Sequence, residues 1–265
     1  MVSYIPVLTS ILSVFFLSRI VPHYLAKGSP YLLWWTLGVL TFGMGTLTES
    51  INAIFGWSEW NTRVWYIVGA LLGGYPLAQG TIYLLMNKRF ADISAAVCSA
   101  GIVFAAVCVL VSPIELPANF DHRLTGSVLQ LNWSVTWVGF VFAPVKWVRF
   151  VFAPFLNIYA LAFLGGGAVY SAFKYFGADK GKSRFLGNIL IAIGALLPGI
   201  GGTMTAFGYV EVLYITELIG LTLIYLGYDM MRKDRSASMH ANQQADSTGS
   251  LPGPVVTGSP GQARR

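Results

Sequence analysis

Two carboxylates, Glu49 and Glu217, stand inside long apolar stretches of the chain, and their type and position bear most directly on chemistry. If those stretches cross a bilayer, an ionised carboxylate within one costs roughly 2.5 to 3.5 kcal/mol on insertion scales, so a residue kept there faces a partner or water. Glu49 lies about five residues and Glu217 about seven from the end of its stretch, so both are roughly 8 to 10 Å deep at 1.5 Å per residue. Side by side and ionised they would repel; either one holds a proton or a cation bridges them, and Arg63, slightly nearer the same surface, is the nearest cation in sequence. Thr46, Glu49 and Asn52 are spaced by three and share one helical face, a polar strip running down from the surface. Deeper still, Tyr75 and Gln79 are four apart with Tyr83 continuing their face. Pro76 interrupts the backbone ladder beside them, and Pro198 does the same in another stretch shortly before Thr203 and Thr205.

These residues admit two readings. In one, Glu49, Arg63, Gln79 and Glu217, with Thr46, Asn52 and Tyr75, line an outward-opening polar pocket for a small solute or cation. In the other, Glu49 and Arg63 form a packing salt bridge, Glu217 is protonated on a backbone carbonyl, and the prolines are structural kinks. Acid and base work by Glu49 and Glu217 is the one enzymatic use the residue types suggest, and no catalytic motif accompanies it. His23, His122 and His240 fall on different sides or far apart, so no zinc or bis-histidine haem site assembles, and no metal or cofactor is expected. There is no Gly-x-Ser-x-Gly elbow and no phosphate-cradling loop; Gly165 to Gly167, Gly199 to Gly202 and Gly69-x3-Gly73 read as small-residue packing. Cys98 and Cys108 are ten residues apart on one stretch, about 15 Å and off-face on a helix, and do not pair.

The elements that must position these groups follow from composition. Of 265 residues 55% are apolar and 11% charged, with mean hydropathy +0.63, against about 25% charged in soluble domains. That excludes an ordinary soluble protein. Seven stretches are long enough to cross a bilayer: Tyr4 to Val21, Tyr31 to Ile54, Thr62 to Met86, Ala91 to Val111, Val151 to Tyr175, Phe185 to Phe207 and Val210 to Met230. With the N-terminus outside and the C-terminus cytoplasmic, 13 of the 17 Lys and Arg fall inside and only Arg63, Arg123, Lys146 and Arg149 outside. An eighth span through Ser127 to Val145 would invert that bias. The basic excess therefore marks cytoplasmic loops of a bacterial inner-membrane protein, with nucleic acid excluded as a partner and the lipid bilayer as the certain one. Between the fourth and fifth spans, within about 113 to 150, Leu129, Leu131, Trp133, Val135 and Trp137 alternate with polar residues, which predicts a β-hairpin-like outer flap. Residues 1 to 234 thus form the transmembrane domain, and 235 to 265, poor in large apolar residues, read as a disordered cytoplasmic tail.

Phe55-Gly56-Trp57-Ser58-Glu59 joins spans two and three, and Phe207-Gly208-Tyr209-Val210-Glu211 joins spans six and seven. Both match Phe-Gly-aromatic-x-Glu, which suggests that spans one to three repeat in parallel as five to seven, with span four a linker. This all-α, 3+1+3 layout resembles seven-helix sugar carriers, although their proline-glutamine pair is absent, and rhodopsins, although Val210 to Met230 lacks the Schiff-base Lys. The run from Thr48-Glu49-Ser50 through Arg63-Val-Trp65-Tyr66 to Gln79-Gly80-Thr81-Ile-Tyr83 resembles stretches of uncharacterised bacterial seven-helix membrane proteins. That resemblance covers about two spans and implies a fold but no activity. The expected function is solute or proton-coupled transport; the alternative is a sensor or accessory subunit with a membrane-protein partner.

Overall fold

The computed structural model describes residues 2–116, 124–129, 151–176 and 182–249, and among them the regular elements are all helical. In chain order these are α1 (Ile5–Lys27), α2 (Pro30–Phe55), α3 (Glu59–Trp65), α4 (Tyr75–Leu85), α5 (Lys88–Val111), α6 (Ala153–Ala160), α7 (Gly166–Tyr175), α8 (Lys182–Ala206) and α9 (Val210–Gly249). Proline opens α1, α2, α4 and α6, where its missing N–H costs nothing. Ser58 and Asn87 cap α3 and α5, with the Asn87 side chain accepting from the Phe90 amide at 2.8 Å.

Six stretches are long and apolar enough to cross a membrane: Val2–Lys27, Glu59–Leu85, Lys88–Val111, Ala153–Tyr175, Lys182–Thr205 and Val210–Asp234. The 26-residue α2 is also long enough, about 39 Å, and it buries Thr46, Thr48, Glu49 and Ser50. The chain is accordingly a multi-pass helical membrane protein.

Spans three and five are not continuous helices. A π-helical segment, Tyr66–Leu71, followed by the non-helical Leu72 to Gly74, separates α3 from α4 just before Pro76. Another π-helical segment, Leu161–Gly165, separates α6 from α7. The break expected at Pro198 does not occur: α8 runs through it unbroken. The Pro198 ring lies against the bare backbone of Gly220, where an added Cβ would come within 3.0 Å of it, so the neighbouring helix accommodates the ring without a break.

One further expectation is revised. No strand is found among the described residues; Ile114 and Leu129 make one isolated antiparallel bridge, and Trp133 to Trp137 of the expected hairpin lie outside the described residues. Of the expected tail, 235–249 continue α9 as helix, and 250–265 lie outside the described residues.

The packing order is a closed ring. α1 lies against α2 and α9, α2 against α3 and α4, α4 against α6 and the second π segment, α7 against α8, and α8 against α9. The fourth span, α5, packs from outside on span three, and Gly101 on α5 abuts the Phe152 ring of span five. Exchanging spans one, two and three for five, six and seven leaves this neighbour order unchanged. Gly56 and Gly208, in the two Phe-Gly-aromatic turns, both have positive φ, 85° and 92°, the region that glycine enters freely.

The α8 and α9 pair is the tightest seam. Gly187 faces Gly227 and Gly194 faces Gly220, so that a Cβ on Gly187 would stand 2.9 Å from the Gly227 carbonyl oxygen and one on Gly194 2.6 Å from that of Gly220. Gly201, seven residues on, meets Leu213 and Thr216 in the same antiparallel register. Small residues at this spacing let two backbones touch. Gly45 and Gly69 bring α2 and the first π segment together likewise, a Cβ on Gly45 lying 3.2 Å from the Gly69 Cα.

Candidate functional site

Glu49 is buried, 3% exposed, six residues from the α2 end nearest Gly56. Trp65 is six residues into the antiparallel span three, hence at the same depth, and its indole Nε1–H donates to Glu49 Oε1 at 3.0 Å. The Glu49 and Glu217 carboxyl groups lie within hydrogen-bond reach of each other, joining spans two and seven. One oxygen of each, Oε2, is buried with no hydrogen-bond donor. Two acceptor-only carboxylates in such contact need a proton or a cation between them, which is what this arrangement can bind chemically.

The polar strip around Glu49 faces inward. Thr46 is 2% exposed, and the Ser10 hydroxyl of α1 lies 3.1 Å from the Thr46 hydroxyl and 3.4 Å from that of Ser50. Asn52, one turn nearer the surface, buries its carboxamide oxygen.

Arg63 is not brought to this pair. Its Nη2 and Nε donate to Glu59 Oε1 at 2.6 and 3.3 Å, and its Nη1 donates to the carbonyls of Val109 and Leu110. Those carbonyls belong to the last turn of α5, where backbone acceptors have no helical partner. The guanidinium therefore ties span three to span four and leaves the carboxyl pair without its expected bridge.

Gln79 and Tyr75 form a separate cluster near the opposite end. Gln79, wholly buried, donates from Nε2 to the Ala91 carbonyl at 2.8 Å and to Ser94 Oγ at 3.1 Å, and accepts from the Tyr159 hydroxyl at 2.6 Å. Tyr75 donates to the Ala95 carbonyl at 3.2 Å and lies 3.0 Å from Ser99 Oγ. Spans three, four and five are joined by this network, and Tyr159, which the sequence does not single out, is integral to it. A wholly apolar setting for Gln79 was the signal that donors and acceptors had to come from neighbouring spans.

Glu49 and Gln79 lie toward opposite ends of the bundle. Between them, on the bundle axis, is a narrow apolar cavity with room for roughly one water-sized sphere. Four lining residues come from each three-span unit and none from span four; Phe16, Trp35 and Val39 line one side, Leu164, Ile224 and Tyr228 the other. The described residues contain no cluster of three His, Cys, Asp or Glu side chains able to hold a metal. No protein-family model and no curated protein matches the chain.

Proposed function

We propose that the protein is a bacterial inner-membrane carrier that takes a proton or monovalent cation at Glu49 and Glu217 and couples it to passage of a small solute. The single observation that carries this reading is the closeness of those two carboxyls, each with its Oε2 buried and without a hydrogen-bond partner among the described residues. Glu49 belongs to the first three-span unit and Glu217 to the second, so whatever neutralises them also sets how the two units meet. The Phe-Gly-aromatic repeat, the positive φ shared by Gly56 and Gly208, and the exchangeable ring order support a 3+1+3 duplication with span four as linker. The Lys and Arg bias supports an N-terminus outside and a cytoplasmic C-terminus, which puts the carboxyl pair toward the outer face.

The test is proton uptake into liposomes loaded with a pH-sensitive dye after an external acid step. Wild type should acidify the lumen, while Glu49→Gln and Glu217→Gln should fall to the level of empty liposomes. Uptake that survives both substitutions would sink the site. A sensor or accessory subunit is the second reading, favoured by one feature: α9 continues fifteen residues beyond Asp234 as helix. Gentle extraction followed by native mass spectrometry separates the two, since a stoichiometric second protein belongs to the subunit and a bound small molecule to the carrier.

A further inference from the structure

We propose that the hydrogen bond between His23 and Tyr228 is the latch that closes the axial cavity at the Gly28 end of the bundle. The inference rests on reading the bundle axis as the path of a solute. His23 Nδ1 lies 2.7 Å from the Tyr228 hydroxyl, with the rings tilted at 6.0 Å between centroids. Tyr228 is buried, 4% exposed, and is itself part of the cavity wall, with its ring edge-on to Trp35 at 6.3 Å. One side chain therefore forms part of the cavity wall and also meets His23, which is four residues from the end of α1.

The bond also crosses the boundary between the two units, from span one to span seven. At that boundary side chains meet, whereas backbones meet within the α8 and α9 seam. Ionic groups surround that end of the bundle: Lys233 pairs with Asp229 at 2.7 Å and Arg184 with Asp234 at 2.8 Å, while Arg232 reaches the Arg19 carbonyl at 3.4 Å. A single side-chain hydrogen bond can be broken at modest cost and remade, which suits a closure that opens in use.

The test places a thiol in the cavity by Val39→Cys, at a position 0% exposed, and measures its reaction with a bulky hydrophilic maleimide in detergent, site by site by mass spectrometry. In wild type the introduced thiol should be nearly inert. His23→Ala and Tyr228→Phe should each raise its rate about three- to twentyfold, the population shift expected from losing one intramembrane hydrogen bond. Cys98 and Cys108, both buried, report unfolding if they label too. Tyr228→Phe keeps the ring in the wall and removes only the hydroxyl, so an unchanged rate there overturns the latch whatever His23→Ala does. Proton uptake measured in parallel keeps the two ideas apart. Uptake that depends on Glu217 with no change in thiol rate removes the latch alone, and a released thiol in a protein that takes up no protons removes the carrier alone.

Discussion

Gln79 and Glu49 sit at mirror positions, each six residues from a helix end and about 9 Å deep, one toward the Gly28 end and the other toward the Gly56 end. Around Gln79 donors and acceptors are matched: the amide gives to Ala91 and Ser94 and takes from Tyr159. Around Glu49 they are not, because Trp65 supplies one donor to two carboxyl groups that otherwise face each other. An amide carries both roles, so neighbouring spans can close it completely. A carboxyl pair is short of a donor, so it is completed by a proton or an ion. On the proposed reading, the same depth thus gives glue at one end and a loading point at the other.

The contrast can be broken most forcefully at the glue. Gln79→Leu strands the Tyr159 hydroxyl and the Ala91 carbonyl, and should lower stability by about 2 to 3 kcal/mol in a chemical unfolding titration; a loss below about 0.5 kcal/mol, under the mean for one such bond, would mean the network is ornamental. Trp65→Phe removes the one donor to Glu49 and should cost about 1 kcal/mol by the same titration. No loss at all would argue that Glu49 finds another donor. Tyr159→Phe deletes a single bond from a network that keeps others, so about 0.6 kcal/mol is expected. Glu217→Gln should have the smallest effect, within about 0.5 kcal/mol of wild type, because its amide can donate to Glu49 and replaces one member of a costly buried pair. A large destabilisation there would make the pair structural after all.

Six of the seven predicted spans, and the closeness of Glu49 and Glu217, were legible because hydropathy and 1.5 Å per residue are local quantities. Arg63 was misread because its fate depends on the end of α5, a partner 46 residues away that offers unfilled carbonyls. One local clue was available in Glu59, four residues before it and already in position for an ion pair. Trp65 was legible in retrospect from its depth in an antiparallel neighbour, whereas Tyr159 was not, since nothing in the fifth span alone says that it faces Gln79. Pro198 shows the limit of breaker rules: whether a proline interrupts a helix depends on Gly220 in the adjacent span.

The glycine register of α8 and α9, Gly187 with Gly227, Gly194 with Gly220 and Gly201 with Leu213, spaces its contacts seven residues apart. Contacts made by bare backbones leave nothing to rotate out of the way, so the two helices form one blade rather than two rods. Any working motion of the bundle has to carry that blade whole. Glu217, mounted on it, would travel with the C-terminal end of α8 as its fixed companion, and the stroke would be measured at the facing edge, against Glu49.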